Sequence, residues 1–296
     1  MKRLLFIVNP RAGKLKARAA LMDILEVFSR AGHRVTVALT QYRGQAVALA
    51  AEGCTSGLYD QLICCGGDGT LNEVVSGVMH AGGTLPIGYI PAGSTNDFAS
   101  CIGLSADPVE AAEAAANGTP LSLDLGRFGN NRFFTYIASF GAFTEVSYAT
   151  AQDTKNALGH LAYVLEGIRD LGNIRPITAT VECGGERITD DWIFGSLSNS
   201  TSVGGIVRLR EGLVDLTDGL FELLLIRMPQ TASERRAVIQ GILGSDFSDG
   251  MFRFLRCAET RFTAPQPLRW SLDGEFADGG CDVSIRVECG VLHLLQ

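Results

Sequence analysis

Short apolar runs alternate with amphipathic segments along the first third of the chain. Leu4–Val8 is a continuous apolar run, which is typical of a strand buried on both faces. From Ala17 to Arg30, apolar residues recur instead at the intervals of a helix. The same alternation then predicts strands at Arg34–Leu39, Gln61–Cys65 and Ile87–Ile90 and helices at Gln45–Glu52 and Thr70–Met79. Alternating strands and helices predict an α/β domain with a parallel sheet covered on both faces, a Rossmann-like arrangement.

After about residue 120 the pattern changes to many strands with few helices. Helical periodicity is found mainly at Ala157–Leu171 and Ala232–Gly244, and turn residues separate most of the apolar runs. Strands are predicted at Leu121–Phe128, Arg132–Phe140, Ile177–Cys183, Trp192–Leu197, Leu220–Met228, Arg261–Phe262, Leu268–Leu272, Asp282–Glu288 and Val291–Leu295. This pattern favours a mainly antiparallel second domain, a β-sandwich. We place the boundary near residues 120–130, which gives a first domain of 1–125 and a second of 126–296.

Composition narrows the class of protein. The chain has 296 residues, of which 46% are apolar and 19% are charged, as expected of a folded globular protein rather than a disordered one. A formal net charge of −7 argues against nucleic acid as a partner, because phosphate backbones need clustered Lys and Arg. The chain has two small groups of basic residues. The first is Lys14, Lys16 and Arg18, and the second is Arg208 and Arg210. Each group is either ordinary solvated surface or a contact for phosphate or an anionic membrane.

No apolar segment of the sequence predicts insertion into a membrane. The opening run ends at Asn9-Pro10, short of a signal-peptide core of about 7–15 residues. No stretch reaches the roughly 20 apolar residues that span a bilayer. The eight cysteines form no C-x-x-C pair, which favours reduced thiols over disulfides or zinc. We therefore expect a soluble, cytoplasmic protein, and any membrane contact or association is expected to be peripheral.

The stretch CCGGDGTLNEVV at residues 64–75 places a glycine-rich turn between a strand and a helix. Gly66, Gly67 and Gly69 would take positive φ values and come close to a ligand, so that successive backbone N–H groups form an anion nest, and the helix N-terminus adds partial positive charge. The pattern matches neither the Walker motif nor G-x-G-x-x-G. Asp68 would repel a phosphate unless a cation such as Mg²⁺ lay between them. The alternative is an ordinary Asp-Gly turn in which Asp68 caps the helix.

Two further polar loops follow strands of the same predicted sheet. Asn9-Pro10-Arg11-Ala12-Gly13-Lys14 follows the first strand, and GSTNDFA at residues 93–99 follows the fourth. In parallel α/β sheets, ligands bind beyond the carboxyl ends of the strands. These loops therefore converge where a phosphate site is expected.

Together, GGDGTLNEVV, GSTNDFA and the distant LDGE at residues 272–275 resemble the catalytic domain of the diacylglycerol kinase family. The resemblance runs almost end to end and in order. GGDGT alone is shared with NAD kinases and, in related form, with phosphofructokinases, whereas GSTNDFA with LDGE points to lipid kinases. In the family a C-terminal segment returns to the first domain, and the last strand is the candidate here.

The resemblance implies ATP and Mg²⁺ as ligands. By matching motifs, the nucleotide would contact Asn9, Pro10, Arg11, Ala12, Gly13, Lys14, Thr40, Gly66, Gly67, Asp68, Gly69, Thr70, Leu71, Asn72, Ser94 and Asn96. Ser94 stands where the family usually has threonine, and it keeps the hydroxyl.

Two magnesium sites follow from the same resemblance. Asp68, Asp97 and Asp124 would form a carboxylate and water network around the catalytic ion. The Asp218 side chain, with backbone carbonyls of Asp215 and Leu220, would bind a structural ion. The family motif usually has another Asp at position 217, where this chain has threonine. An ordinary Asp-Gly turn before the next strand is the alternative.

Asp273 and Glu275 are the candidates for the general base, with Asp273 preferred. Phosphoryl transfer to an alcohol needs a carboxylate within hydrogen-bond reach of the hydroxyl. We expect Asp68→Ala and Asp273→Ala to abolish turnover and leave the fold intact. The alternative for the LDGE segment is a turn between strands 268–272 and 282–288.

Two other groups have open interpretations. Lys155 either contacts phosphate or is an exposed lysine at a helix start. The aromatic residues could line an acceptor cleft or form ordinary core; they are Phe128, Phe133, Phe134, Phe140, Phe143 and Tyr148.

The sequence thus predicts a lipid kinase that transfers the γ-phosphate of ATP to a membrane lipid, with diacylglycerol as the expected acceptor. It predicts no nucleic-acid partner and leaves a homodimer open. The alternatives are phosphorylation of a soluble nucleotide such as NAD, which leaves GSTNDFA and LDGE unexplained, and a non-catalytic module that binds nucleotide or lipid.

Overall fold

A computed structural model describes residues 1–142, 175–203, 207–209 and 212–296. The described chain forms two compact units. The first comprises Met1–Asp124 and Gly290–Gln296, and the second comprises Leu125–Cys289. The predicted helix Ala157–Leu171 lies outside the described residues, as do Phe143, Tyr148, Lys155 and Arg210 and the side chains of Lys14 and Arg208.

The first unit is built on a parallel sheet with the strand order β2 (Arg34–Leu39), β1 (Arg3–Val8), β3 (Gln61–Gly66), β4 (Ile87–Pro91) and β17 (Asp282–Leu295). Its elements are β1 (Arg3–Val8), a 3₁₀ turn (Ala12–Leu15), α1 (Lys16–Ala19), α2 (Leu21–Arg30), β2 (Arg34–Leu39), α3 (Gln45–Thr55), β3 (Gln61–Gly66), α4 (Asp68–His80), β4 (Ile87–Pro91), α5 (Asp97–Cys101) and α6 (Pro108–Asn117). The last strand, β17 (Asp282–Leu295), begins in the second unit and adds Leu294 and Leu295 beside β4.

Helices cover both faces of this sheet, which explains why β1, β3 and β4 are mostly apolar and buried. One face of β1, carrying Leu4, Phe6 and Val8, packs against α2 and α6. The alanine-rich α6 lies so close to β4 that a Cβ on Gly88 would be 2.6 Å from the Cβ of Ala115. On the other face, α3 packs against β1 and α4 against β3.

The second unit is predominantly antiparallel. Its remaining elements are β5 (Pro120–Phe128), β6 (Arg132–Phe134), β7 (Ile137–Gly141), β8 (Ile177–Cys183), β9 (Glu186–Ser198), β10 (Ser202–Val203), β11 (Val207–Arg208), β12 (Phe221–Arg227), α7 (Ala232–Gly244), β13 (Phe252–Cys257), β14 (Glu259–Thr263), β15 (Arg269–Leu272) and β16 (Glu275–Asp278). Of these, β5 begins in the first unit.

The long strand β9 belongs to two layers. Its first half pairs with β8, in the layer β9-β8-β14-β17-β5-β6. Its second half lies between β7 and β12, in the layer β16-β15-β7-β9-β12-β13. Alternate residues of both layers, such as Phe221, Leu223 and Leu225 of β12, point into one shared core. The sandwich buries both tryptophans of the chain, Trp192 and Trp270.

The predicted fold class, a parallel α/β part followed by an antiparallel part, is confirmed. Several details differ from the sequence predictions. The helix predicted at Ala17–Arg30 is divided at Ala20, and α4 begins at Asp68 rather than Thr70. The strand predicted at Arg132–Phe140 is divided into β6 and β7. Asp282–Glu288 and Val291–Leu295 form one strand, β17. Among the described residues, no helix has the length and apolar character that a membrane span requires.

Candidate active site

The carboxyl ends of β1 and β3 mark the point where the strand order reverses. From β1 the chain moves first to β2 on one side and then to β3 and β4 on the other. Val8 pairs with both Leu39 and Cys65, so the loops that follow these strands leave the sheet at the same level. In open α/β sheets such a switch point is the usual ligand crevice. Asn9 and the GGDGT turn flank it.

Asn9 joins the loop after β1 to the first turn of α4. Its backbone N–H donates to Cys65 O at 2.9 Å, and its Nδ2 donates to Thr70 Oγ1 at 3.1 Å. Its Oδ1 accepts from the N–H of Arg11 at 3.0 Å. On the other side of β1, the N–H of Thr40 donates to Val8 O at 2.9 Å. The predicted nucleotide residues Asn9, Thr40 and Thr70 therefore border one edge of the sheet.

The glycines of these loops allow backbones to pack directly on each other. A Cβ on Gly13 would lie 2.0 Å from Ala92 O, and one on Gly93 would lie 2.6 Å from Gly67 Cα. Gly13 also has a φ of +49°. Gly66, Gly67, Gly69 and Gly93 have no left-handed φ, so the expected nest of positive-φ glycines in GGDGT is wrong. Close approach of the loops requires glycine there instead.

Asn96 holds the third loop in a tight turn. Its φ is +53°, a conformation that Asn tolerates better than most residues. Its Oδ1 accepts from the N–H of Gly93 at 2.8 Å, and its Nδ2 donates to Gly93 O at 3.2 Å. Ser94 is exposed at the tip of this turn.

Asp68 is the first residue of α4, and its carboxylate is 9% exposed. Its Oδ2 accepts from the N–H of Asp97 at 3.1 Å, and its Oδ1 accepts from that of Phe98 at 3.3 Å. These N–H groups open α5, so Asp68 satisfies the start of a neighbouring helix rather than capping its own. The nearby negative charge of Asp68, after burial itself, also helps to raise the pKa of Tyr89 well above its usual value.

The three carboxylates assigned to the catalytic magnesium have different surroundings. Asp97 is half-buried and lies next to Asp68. Asp124 is 1% exposed, and its Oδ1 accepts from the N–H of Gly290 at 2.8 Å. It therefore fastens the returning C-terminal segment to the end of the first unit. Within the described part of the chain, no group of three or more His, Cys, Asp or Glu side chains is placed to hold a metal ion.

Two other predicted nucleotide residues, Ala12 and Leu71, can offer only backbone atoms. Ala12 is 8% exposed and Leu71 is fully buried, so both side chains belong to the core. Arg11 is exposed, and Pro10 and Asn72 are half-buried. The side chain of Lys14 lies outside the described residues.

The LDGE segment forms a two-residue hairpin turn between β15 and β16. Leu272 pairs with Glu275, and the turn residues Asp273 and Gly274 have φ values of +49° and +86°. Two successive positive φ values are the signature of a type I′ turn. The interpretation of LDGE as a hairpin turn is therefore confirmed, but its second strand is β16 and not 282–288.

The carboxylate of Asp273 is an anchor for the segment between β6 and β7. Its Oδ2 accepts from Thr135 N–H at 2.6 Å and Thr135 Oγ1 at 2.9 Å, and its Oδ1 accepts from the N–H groups of Tyr136 and Ile137, each at 3.1 Å. A carboxylate has about four acceptor positions, so these four hydrogen bonds occupy the acceptor positions of Asp273. Asp273 is 5% exposed, whereas Glu275 is half-buried. The expectation that Asp273→Ala leaves the fold intact does not agree with these contacts.

The four described aromatic candidates for the acceptor cleft belong to the core of the sandwich. Phe128 and Phe140 contact the ring of Trp270 with centroid distances of 5.3 and 4.9 Å, and Phe134 contacts Phe221 at 5.6 Å. Phe133 is also buried, beneath the guanidinium of Arg127. Packing of the second unit accounts for all four.

Known proteins resemble this chain over most of its length. Residues 3–128 match the sequence profile of the diacylglycerol kinase catalytic domain. A diacylglycerol kinase of Bacillus subtilis (strain 168) is 30% identical over 277 residues, which are 93% of this chain and 90% of that protein. This chain belongs to the diacylglycerol kinase family.

Other relatives agree with this assignment. A Staphylococcus aureus (strain MRSA252) diacylglycerol kinase is 29% identical over 275 residues, covering 93% of this chain and 86% of that protein. Two crystal structures from Bacillus anthracis str. Sterne share the fold. One, provisionally named a diacylglycerol kinase, has a TM-score of 0.82 at 22% identity, and the match covers 99% of this chain and 94% of that chain. The other, named a diacylglycerol kinase, has a TM-score of 0.75 at 18% identity, and the match covers 99% of this chain and 96% of that chain.

In this member of the diacylglycerol kinase family, Glu73 has a structural role that sequence reasoning missed. Its Oε1 accepts from the N–H of Gly44 at 2.8 Å, and its Oε2 accepts from that of Ala46 at 3.2 Å. Glu73 thus caps the start of α3, which begins after Gly44 without a capping side chain of its own. The absence of Ser, Thr, Asp or Asn before Gln45 was the available signal.

The predicted metal loop at Asp215–Leu220 has its carboxylates engaged by neighbouring groups. The Asp218 carboxylate pairs with Arg256, which also donates to Glu222 Oε1 at 3.3 Å. Glu222 is fully buried, and burial raises its pKa to about 7 despite the lowering effect of Arg256.

We expect Gly13→Ala to destabilise the first unit by about 2–4 kcal/mol, because its methyl group would overlap Ala92 O and its φ is left-handed. Gly82→Ala is the matched control. Gly82 has a φ of +60° with nothing within 4 Å of the added Cβ. The Gly82→Ala substitution should therefore lower the free energy of unfolding by only about 1 kcal/mol. Urea unfolding followed by circular dichroism measures both; equal losses would contradict the close-packing account.

We expect Asp273→Asn to lower the stability of the second unit by about 2–4 kcal/mol. Asn tolerates the left-handed turn, so the variant isolates the loss of acceptor capacity. Glu275→Gln should change stability by less than about 0.5 kcal/mol. Urea unfolding followed by tryptophan fluorescence reports on this unit, since both tryptophans lie in its core. An Asp273→Asn protein as stable as Glu275→Gln would refute the anchoring role.

Proposed function

We propose that this chain is an ATP-dependent lipid kinase that transfers the γ-phosphate to the hydroxyl of diacylglycerol, forming phosphatidic acid. The convergence of Asn9, the GGDGT turn and Gly93–Asn96 at the β1/β3 switch point carries the proposal. Membership of a family whose named relatives are diacylglycerol kinases supports the lipid acceptor.

The first unit would bind the nucleotide phosphates through backbone N–H groups. The N-terminus of α4 opens at the switch point, and helix N-termini carry unsatisfied N–H groups and partial positive charge. Asn9 fixes the neighbouring loop to Thr70, so the two walls of the crevice keep their spacing. Such preorganised donors suit a triphosphate, because phosphoryl transfer depends mainly on positioning and charge stabilisation.

Mg²⁺ would be held by the adjacent carboxylates of Asp68 and Asp97 together with phosphate oxygens. One or two carboxylates suffice, since Mg²⁺ in kinase sites keeps several waters and shares the phosphates. When bound, the ion would neutralise the charge that develops on the transferred group. The donor atoms fit this use, because both residues supply carboxylate oxygens, the hard ligands that Mg²⁺ prefers, and Asp68 lies beside the start of the helix that carries Asp97.

The LDGE turn would serve the acceptor hydroxyl. Asp273 would act as the base only by giving up one of its four accepted hydrogen bonds, whereas Glu275 stands at the start of β16 and is half-buried. We therefore propose that Asp273 positions the turn and that Glu275 accepts the proton of the acceptor hydroxyl. Phe276, adjacent to Glu275 and 47% exposed, is available to an acyl chain. Peripheral membrane contact follows from a lipid acceptor, and a homodimer stays a prediction.

A radiolabelled-ATP assay with diacylglycerol in mixed micelles tests the proposal. The wild-type protein should label the lipid only when Mg²⁺ is present, and Asp68→Asn should lower kcat by at least about 100-fold. Asp23→Asn, on an exposed position of α2, is the matched control and should leave kcat unchanged. Phosphorylation of NAD with none of the lipid, or nucleotide binding without phosphate transfer to any lipid alcohol, would contradict the proposal.

A further inference from the structure

The loop at Asp215–Leu220 uses its carboxylates to bind its own backbone. Asp215 Oδ1 accepts from the N–H of Thr217 at 3.0 Å and from its hydroxyl at 2.8 Å. Asp218 Oδ1 accepts from the N–H of Leu220 at 2.9 Å. One oxygen of each acid is therefore committed within the loop, and position 217 supplies a hydroxyl where the family motif usually supplies a third carboxylate.

The other oxygen of Asp218 is occupied by a permanent cation. Arg256 Nη2 donates to Asp218 Oδ2, and Arg256 Nε donates to Glu222 Oε1 at 3.3 Å. Arg256 is opposite Glu222 in the register of β12 and β13, so the strand pairing fixes the guanidinium beside the loop. A single side chain thus joins the loop to the strand that follows it.

Glu222 depends on this arginine. Its side chain is 0% exposed, and within the described ranges its Oε2 has no hydrogen-bond partner. Loss of Arg256 would leave a buried carboxylate without its compensating charge, which is strongly destabilising. Arginine suits the position because it stays protonated and presents several donors in a fixed plane.

A divalent ion does not fit this donor set. It would share Asp218 with a guanidinium a few ångström away, and like charges repel strongly at that separation.

We propose that Arg256 takes the structural role that the family resemblance assigns to Mg²⁺ in this loop. The guanidinium bridges the carboxylates of Asp218 and Glu222 and holds the loop to β12 without a metal ion. This role does not depend on the kinase activity of the first unit.

Thermal unfolding of the nucleotide-free, full-length protein tests the proposal, with tryptophan fluorescence reporting on the second unit. The wild-type Tm should be the same in EDTA and in excess Mg²⁺, or any rise should persist unchanged in Asp218→Asn. A Mg²⁺-induced rise that Asp218→Asn abolishes would overturn the proposal. This comparison uses no activity measurement and stands even if Arg256→Gln fails to fold.

The arginine itself is tested in EDTA. Arg256→Gln should lower the Tm by about 5–10 °C, because it leaves the buried carboxylate of Glu222 without a positive partner. Arg253→Gln is the matched control: Arg253 is an exposed arginine of the same strand, and its Tm should change by less than about 2 °C. Equal Tm values for the two variants would overturn the proposal.

Discussion

A methyl group on Gly93 would lie 2.6 Å from Gly67 Cα, and one on Gly13 would lie 2.0 Å from Ala92 O. The loops after β1, β3 and β4 therefore pack backbone against backbone. This close approach brings Asn9, the start of α4 and Asn96 to one edge of the sheet. The proposed phosphate site depends on it, because any side chain at these glycines would separate the donors.

Carboxylates that accept hydrogen bonds from backbone N–H groups hold these elements in place. Asp68 satisfies the start of α5, Glu73 the start of α3, and Asp124 the returning C-terminal segment. Asp273 does the same for Thr135–Ile137 in the second unit. Motif carboxylates that resemble catalytic groups are thus also structural acceptors. A loss of activity on their removal must be separated from a loss of stability.

Strand periodicity and motif order predicted much of this molecule. Arg34–Leu39, Ile177–Cys183 and Ala232–Gly244 have the bounds expected from the sequence, since each follows a local pattern. Local patterns could not predict hydrogen bonds and ion pairs between residues that are distant in the chain. Asp273 meets Thr135, 138 residues away, and Arg256 meets Asp218, 38 residues away. Likewise, the sequence does not distinguish a glycine that is required for close approach of two backbones from one that is required for a left-handed φ.

The central claim is that the glycine-packed edge of the first sheet receives a triphosphate. A crystal structure with a non-hydrolysable ATP analogue and Mg²⁺ tests it most directly. The account predicts phosphate oxygens within hydrogen-bond distance of the backbone at the start of α4 and of the Asn9–Gly13 loop, with the ion beside Asp68. Phosphates bound elsewhere, with that edge holding only solvent, would contradict it.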